Sequence, residues 1–246
     1  MENEILKLLD KEIKVSGNWI YEPESPYVYK GLYQVPRVTE ILSSTNHEQY
    51  LLNWANGIGF KHRKYSTVLE EASGIGSATH NAIEKKLQFN DELDLTKLEP
   101  VVRGKVSNAY QSFLLWYEEV EPLGFKILKE EEPLITKYFG GTLDLLVQIG
   151  DSIVLVDFKT SNHPNFKYFL QLAAYKDVLE QEYGIKIDCC MILMLDKTAI
   201  QYQEIVLDFN IPIHKEYMGY FTQAFYSSLY HYYMRKRAEQ CFDKII

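Results

Sequence analysis

The chain has 246 residues, 46% of them hydrophobic and 24% charged, with 34 acidic against 26 basic side chains and a net charge of −8. That length buries a substantial core, the composition is that of a globular protein, and no apolar run is long enough to span a bilayer. The acidic balance excludes a surface coated in basic charge, so contact with a polyanion is expected in a local groove rather than over a whole face.

The first residues, Met1 to Lys14, carry acids and lack an apolar stretch followed by a small-residue cleavage site. Neither a secretory signal nor a transit peptide is expected there, and a cytoplasmic location is. Residues 3–14 predict a short amphipathic helix with Ile5, Leu8, Leu9 and Ile13 on one side. The aromatic-rich stretch 17–33, broken by Pro23 and Pro26, reads as strand and turn. Pro36 and Glu40 mark the start of a helix over 35–42, with proline at an early position and an acid in the first turn. Another helix is expected over 50–64, ending in the basic run Lys61-His62-Arg63-Lys64. Cations suit a helix C-terminus, and the same run suits phosphate.

Ser73-Gly74-Ile75-Gly76 leads into a helix that carries His80 and Glu84, four apart and therefore on one face. A long helix over 97–120 follows, with Val102, Val106, Tyr110, Phe113, Leu114 and Tyr117 as its buried stripe, ended by Pro122 and Gly124. Residues 125–135 predict the first strand of a sheet. Three acids lie inside it, and alternation places Glu130 and Glu132 on one face.

The most informative stretch is 139–175. Gly140 to Val147 predicts a strand with Asp144 near its start. Gly150-Asp151 is a turn signal, and Ser152 to Phe158 returns as a second strand with Asp157 near its end. An antiparallel hairpin brings those two ends together, so the two carboxylates meet. Lys159, two residues beyond Asp157, points to the same face. Two acids and a lysine at one sheet edge are what metal-assisted phosphodiester cleavage needs, with the acids holding a hard cation and the lysine supplying charge or a proton. A helix over 164–183 puts Gln171 and Tyr175 on one face. Strands are expected over 185–195 and 199–207, and a helix within 213–237 with Tyr217, Phe221, Phe225 and Leu229 recurring every four residues. Tyr220, Tyr226, Tyr230, Tyr232 and Tyr233 are expected to pack, with base stacking as the minor reading. Cys189 and Cys190 fall in an apolar run and read as core, and with Cys241 they form no metal-ligand spacing.

Gly140-Gly141-Thr142-Leu143-Asp144, the hairpin, Val156-Asp157-Phe158-Lys159-Thr160-Ser161 and Gln171-Leu172-Ala173-Ala174-Tyr175 resemble the RecB-type branch of the PD-(D/E)XK nuclease superfamily. The nearest likeness is to phage-type exonucleases and the mitochondrial genome maintenance exonuclease. The order of elements predicts a mixed α/β fold. The resemblance makes it a restriction-endonuclease-like core, a mixed central sheet flanked by helices with a mainly helical N-terminal part. One domain is expected over 1–246, with 1–72 an N-terminal elaboration and 73–246 the catalytic core.

The resemblance implies catalytic roles for Asp144, Asp157, Lys159, Gln171 and Tyr175. Gly76 to His80 matches the family's Gly-x-x-x-His pattern, which makes His80 a metal ligand with Asp144, Asp157 and the Phe158 carbonyl around one or two magnesium or manganese ions. Glu84, Glu130 and Glu132 are further acids for the metal or its surroundings, and Lys61, Arg63, Lys64, Gln171 and Tyr175 are expected to touch DNA. Arg37 stands where relatives carry serine, and three cysteines cannot hold the four-cysteine iron–sulfur cluster of some relatives. Lys159, beside a cation, is expected to lose its proton more easily than a free lysine. The implied activity is metal-dependent exonucleolytic hydrolysis of DNA from free ends, preferring single strands. The setting is recombination, repair or replication in a bacterial or phage-encoded system, with a partner protein from such a pathway and no membrane. The alternatives are a structure-specific or restriction-type endonuclease and a non-cleaving DNA-binding recombination accessory protein. Intact Asp144, Asp157 and Lys159 argue against the last.

Overall fold

The computed structural model describes residues 4–10, 25–45, 58, 64–91, 93–96 and 98–244. Helix α1 covers residues 4–10. A small antiparallel hairpin follows, β1 (Val28–Tyr29) and β2 (Tyr33–Gln34), turning through Lys30 and Gly31 at positive φ. Helix α2 (Val38–Thr45) begins two residues after Pro36. Helices α3 (Tyr65–Phe89) and α4 (Pro100–Val120) then precede the main sheet.

That sheet contains β3 (Phe125–Ile135), β4 (Gly140–Ile149), β5 (Ser152–Lys159), β6 (Cys189–Leu195) and β7 (Tyr202–Asp208), lying side by side in chain order. Helix α5 (Phe166–Gln181) crosses from β5 to β6, and α6 (Pro212–Phe242) follows β7. The β5–β6 pair is parallel and the other three pairs are antiparallel. A parallel pair needs a crossover long enough to return the chain, which α5 supplies. The fold is thus α/β, a five-stranded mixed sheet flanked by helices and consistent with a restriction-endonuclease-like core.

Each face of the sheet has its own apolar cluster. On one, Leu42 of α2, Leu172 and Val178 of α5, and Phe225 and Leu229 of α6 pack with Leu143, Leu155 and Ile192. On the other, Ile83 of α3 and Tyr110, Phe113 and Trp116 of α4 pack with Leu145, Val147, Val156 and Leu193. Strands covered on both faces read as unbroken apolar runs, which is why β5 and β6 lack a polar alternation.

Several boundaries differ from the sequence expectation, each for a local reason. Helix α3 begins at Tyr65 and runs straight through Gly74 and Gly76. A glycine pair resembles a loop because each glycine weakens a helix interior by about 0.5–1 kcal/mol relative to alanine, but a helix of 25 residues absorbs it. Lys64 is the N-cap residue of α3 rather than part of a helix C-terminus. Lys61, Arg63 and nearly all of the helix expected over 50–64 lie outside the described residues. Strand β7 starts at Tyr202 because the Asp196 carboxylate accepts from the Thr198 and Ala199 N–H groups and from Gln201 Nε2, which folds residues 196–201 into a turn. Ser112 of α4 ties into that turn, accepting the Gln201 N–H at 3.0 Å and donating to the Asn108 carbonyl at 2.8 Å.

Of the α6 tyrosines expected to pack, Tyr226, Tyr230, Tyr232 and Tyr233 do, and Tyr220 does not, being 57% exposed. Tyr226, Tyr232 and Tyr233 are buried, with hydroxyls on Asp177, Glu40 and the Tyr138 carbonyl, whereas Tyr217 of the expected stripe is 46% exposed. Cys190 is buried and Cys189 half-buried. Among the described residues no helix is long and apolar enough to cross a membrane.

Candidate active site

The register of the hairpin builds the site. Leu145 of β4 pairs with Val156 of β5, so Asp144 and Asp157 are the next residues along the same edge. The Phe158 N–H donates to Asp144 Oδ2 at 2.7 Å, which locks that carboxylate across the strand pair. Asp144 is 8% exposed and Asp157 2%. Two steps along β5, Lys159 Nζ donates to Asp157 Oδ1 at 2.7 Å and stands 2.6 Å from Oδ2, with the Tyr168 ring 5.1 Å away. His80 arrives from α3. Its Nε2 lies 3.1 Å from the Phe158 carbonyl oxygen, and its Nδ1 lies 3.5 Å from Asp144 Oδ1 and 3.8 Å from Glu131 Oε1.

Glu131 is the acid that sequence reasoning did not single out. It sits at φ +44°, in the left-handed region that breaks strand alternation. Donor atoms of His80, Glu131 and Asp144 lie within 4.8 Å of one another. Glu132 instead pairs with Lys129 at 2.9 Å. Glu130 faces α3, where burial first, then Glu84 and Glu131, push its carboxyl up to about 7 against a hydrogen bond from Gln88. Glu84 accepts from Gln88 Nε2 at 3.4 Å and stands with Glu130, outside the His80–Glu131–Asp144 group.

Gln171 and Tyr175 share a face of α5, with Gln171 Nε2 donating to the Tyr175 hydroxyl at 3.3 Å. Burial, with Asp144 and Asp157 nearby, pushes the Tyr175 phenol far up, so it stays protonated. The glycine pair at the head of β4 explains how two tyrosines fit there. A Cβ on Gly141 would overlap the Tyr175 ring, and one on Gly140 would come within 2.5 Å of the Tyr27 ring. The Tyr27 hydroxyl is 2.9 Å from Thr142 Oγ1. Tyr27 carries no sequence signal as a lone residue in an irregular stretch.

The electrostatics are those of crowded acids. Burial lowers the His80 imidazolium, but Asp144 and Glu131 outweigh it and push it up to about 9. Burial, reinforced by Asp144, raises the Asp157 carboxyl even though Lys159 opposes it. Burial pulls the Lys159 ammonium down, and the carboxylates of Asp157 and Asp144 more than compensate. In the absence of a metal ion Lys159 is therefore held as a cation by the two carboxylates.

The donor set fits a divalent cation. It offers carboxylates, one imidazole and one carbonyl oxygen, with donor atoms of His80, Glu131 and Asp144 within 4.8 Å of one another. Clustered oxygen donors of this kind are what a hard cation takes as ligands. A cavity of about 890 Å³ opens on the site, lined by His80 and Lys159 together with Leu69, Asn162, Phe166 and Tyr168.

A mixed sheet whose edge gathers two buried acids, a lysine and a histidine is an arrangement able to hold a divalent cation for phosphodiester hydrolysis. The profile of the PD-(D/E)XK nuclease superfamily matches residues 61–206, and the chain belongs to that superfamily. The matched span holds every residue of the constellation from His80 to Tyr175. No curated protein matches the sequence. Among solved structures the chain is similar to an alkaline exonuclease (LHK-Exo) from Laribacter hongkongensis, with 16% identity and a TM-score of 0.35 over 84% of this chain and 94% of that one. A likeness that distant assigns no role to any residue here.

Proposed function

We propose that this chain is a divalent-metal-dependent DNA exonuclease that hydrolyses phosphodiester bonds from free ends and prefers single strands, acting in recombination, repair or replication. The observation that carries the proposal is the buried edge where Asp144, Asp157 and Lys159 meet His80. One domain over 1–246 is proposed with it, supported by the Tyr232 hydroxyl of α6 donating to Glu40 of α2 at 2.6 Å.

His80, Asp144, Asp157 and the Phe158 carbonyl would hold one or two magnesium or manganese ions, with Glu131 completing the set. The imidazole favours manganese somewhat, being a softer donor than carboxylate. When bound there, such a cation would supply an acidified water and a sink for charge on the phosphate oxygens. Lys159, kept protonated by its carboxylates, presents a positive charge to the phosphate and stabilises charge developing there. The Gln171 amide and the Tyr175 hydroxyl lie on the helix facing the same edge and orient the strand. The body is acidic, so contacts run through phosphates and stacking rather than base edges.

The test is digestion of end-labelled single strands, duplexes and circular single strands with either metal, beside Lys159→Ala. Metal-dependent loss of linear strands, with circles spared and the variant inactive, is the expected result. Efficient cutting of circles indicates an endonuclease, and binding without cleavage indicates an accessory protein.

A further inference from the structure

Two large apolar side chains stand half-exposed in the cavity that opens on the site, Leu69 of α3 at 49% and Phe166 of α5 at 51%. Single exposed hydrophobic residues are ordinary. These two differ because they converge on one space, and because their helices also carry His80 and Gln171. Tyr168 adds a second aromatic wall, its ring 5.1 Å from Lys159 Nζ and its hydroxyl donating to Ser161 Oγ at 2.9 Å. Asn162 and Asn165 give the rim amide groups, with Asn165 Oδ1 already engaged by the Lys167 N–H. The space is thus apolar and aromatic on its walls, polar at its mouth, and shares Lys159 and His80 with the reacting centre.

Beyond the loop 160–165 a second cavity, of about 570 Å³, shares Ser161, Asn162, His163 and Lys197 with the first. Lys197 stands between them. Its ammonium donates to the Thr160 carbonyl at 2.7 Å and forms no ion pair among the described residues. A polyanionic strand leaving the site along this line would meet a positive charge beside the loop.

We infer that the cavity between Leu69 and Phe166 is a nucleobase subsite. It holds, unstacked, the base of a nucleotide flanking the scissile phosphate, and Lys197 takes the next phosphate along the strand. The inference rests on the nuclease reading and deepens it. A base has two apolar faces and polar edges, which matches apolar walls with amides at the rim. A base within a duplex has its faces stacked and its edge paired, so it fills this space only after leaving the helix, as bases do for enzymes that need them extruded. The single-strand preference then follows from the pocket itself.

The experiment uses the full chain with manganese and an end-labelled single strand carrying one internal abasic residue. The digestion ladder is read for stalling, whatever the polarity of cleavage. Base stacking on side chains of this kind is worth about 10-fold or more per base. The wild-type chain is therefore expected to stall about 10-fold or more beside the abasic residue. Leu69→Ala/Phe166→Ala is expected to cut the intact strand slower by about the same factor and to pass the abasic residue without further stalling. Lys197→Ala is expected to slow both strands alike. An even ladder across the abasic residue in the wild type overturns the inference while leaving the nuclease reading intact, and so does a stall that persists undiminished in the double variant. No cleavage of any strand overturns the nuclease reading and the subsite with it. Should the double variant fail to fold, the wild-type ladder still decides.

Discussion

Gly141→Ala probes the packing that positions the site, and the structure sets its magnitude. The new Cβ would overlap the Tyr175 hydroxyl and lie 2.6 Å from Cε1 and 2.8 Å from Cζ of that ring. Tyr175 is buried among the α5 core residues and has no open space to turn into, so either the ring or the head of β4 must shift. Overpacking of this kind costs about 1–3 kcal/mol. In a chain this size each kcal/mol lowers Tm by about 2–4 °C, giving a fall of roughly 2–12 °C. Asp144 is three residues along the same strand, so activity is expected to fall with stability. Gly104→Ala is the internal control. It lies inside α4 with nothing within 4 Å of its Cβ position, so it is expected to stabilise by about 0.5–1 kcal/mol. Thermal melts of both variants, of Tyr175→Ala and of Gly141→Ala/Tyr175→Ala make the test. Truncating the ring removes the overlap, so the double variant is expected to be less destabilised than the sum of the singles by more than about 0.5 kcal/mol. Strict additivity, or a Gly141→Ala melt equal to the wild type, refutes the argument.

His80→Ala and Glu131→Gln are each expected to weaken manganese binding by about 10-fold or more in calorimetric titration with little change in melting temperature. Glu132→Gln, whose partner is Lys129, should leave the titration unchanged. Lys159→Met is expected to lower cleavage by about 100-fold or more. It also strips the cation from a buried carboxylate, at a cost of about 3–5 kcal/mol, and manganese should restore part of that loss in the melt. Ser112→Ala removes one of the two acceptors of the Gln201 N–H, the Ala199 carbonyl at 3.1 Å remaining, which costs about 0.5–1.5 kcal/mol and should show as faster amide exchange confined to residues 196–201.

The sheet and its helices were legible because their signals are local. Gly150-Asp151 sets the hairpin, and a period-two strand carries Asp157 to Lys159 on one face. The Pro122 and Gly124 stop closes α4, and the parallel β5–β6 pair follows from a helix between two apolar runs. What misled was equally local. Gly74 and Gly76 carry loop chemistry inside a helix whose length is paid for by packing at Ile75, Thr79 and Ile83. Residues 199–201 look like strand, but the Asp196 carboxylate captures the Thr198 and Ala199 N–H groups and the Gln201 amide and carries the turn on to Gln201.

The site divides along the same line. Asp144, Asp157 and Lys159 are fixed by one hairpin, so spacing alone brings them together. His80 reaches them only through tertiary packing, and a family pattern rather than periodicity pointed to it. Glu131 shows where pattern reasoning stops. In a run of three glutamates, alternation offers either Glu130 with Glu132 or Glu131 alone, and the side chain near His80 belongs to the residue with a left-handed φ. A non-glycine residue there is strained, and the neighbours make the strain intelligible. Glu130 is drawn toward α3 with Gln88 and Glu84, and Glu132 is drawn to Lys129. With its neighbours turned elsewhere, Glu131 is the acid of the three left beside His80 and Asp144. A strained backbone that adds a third acid to two buried ones adds repulsion to an already crowded edge, which a divalent cation would relieve. That arrangement is difficult to account for as folding stability alone, and it is the structural reason to place the cation at this edge rather than elsewhere on an acidic surface.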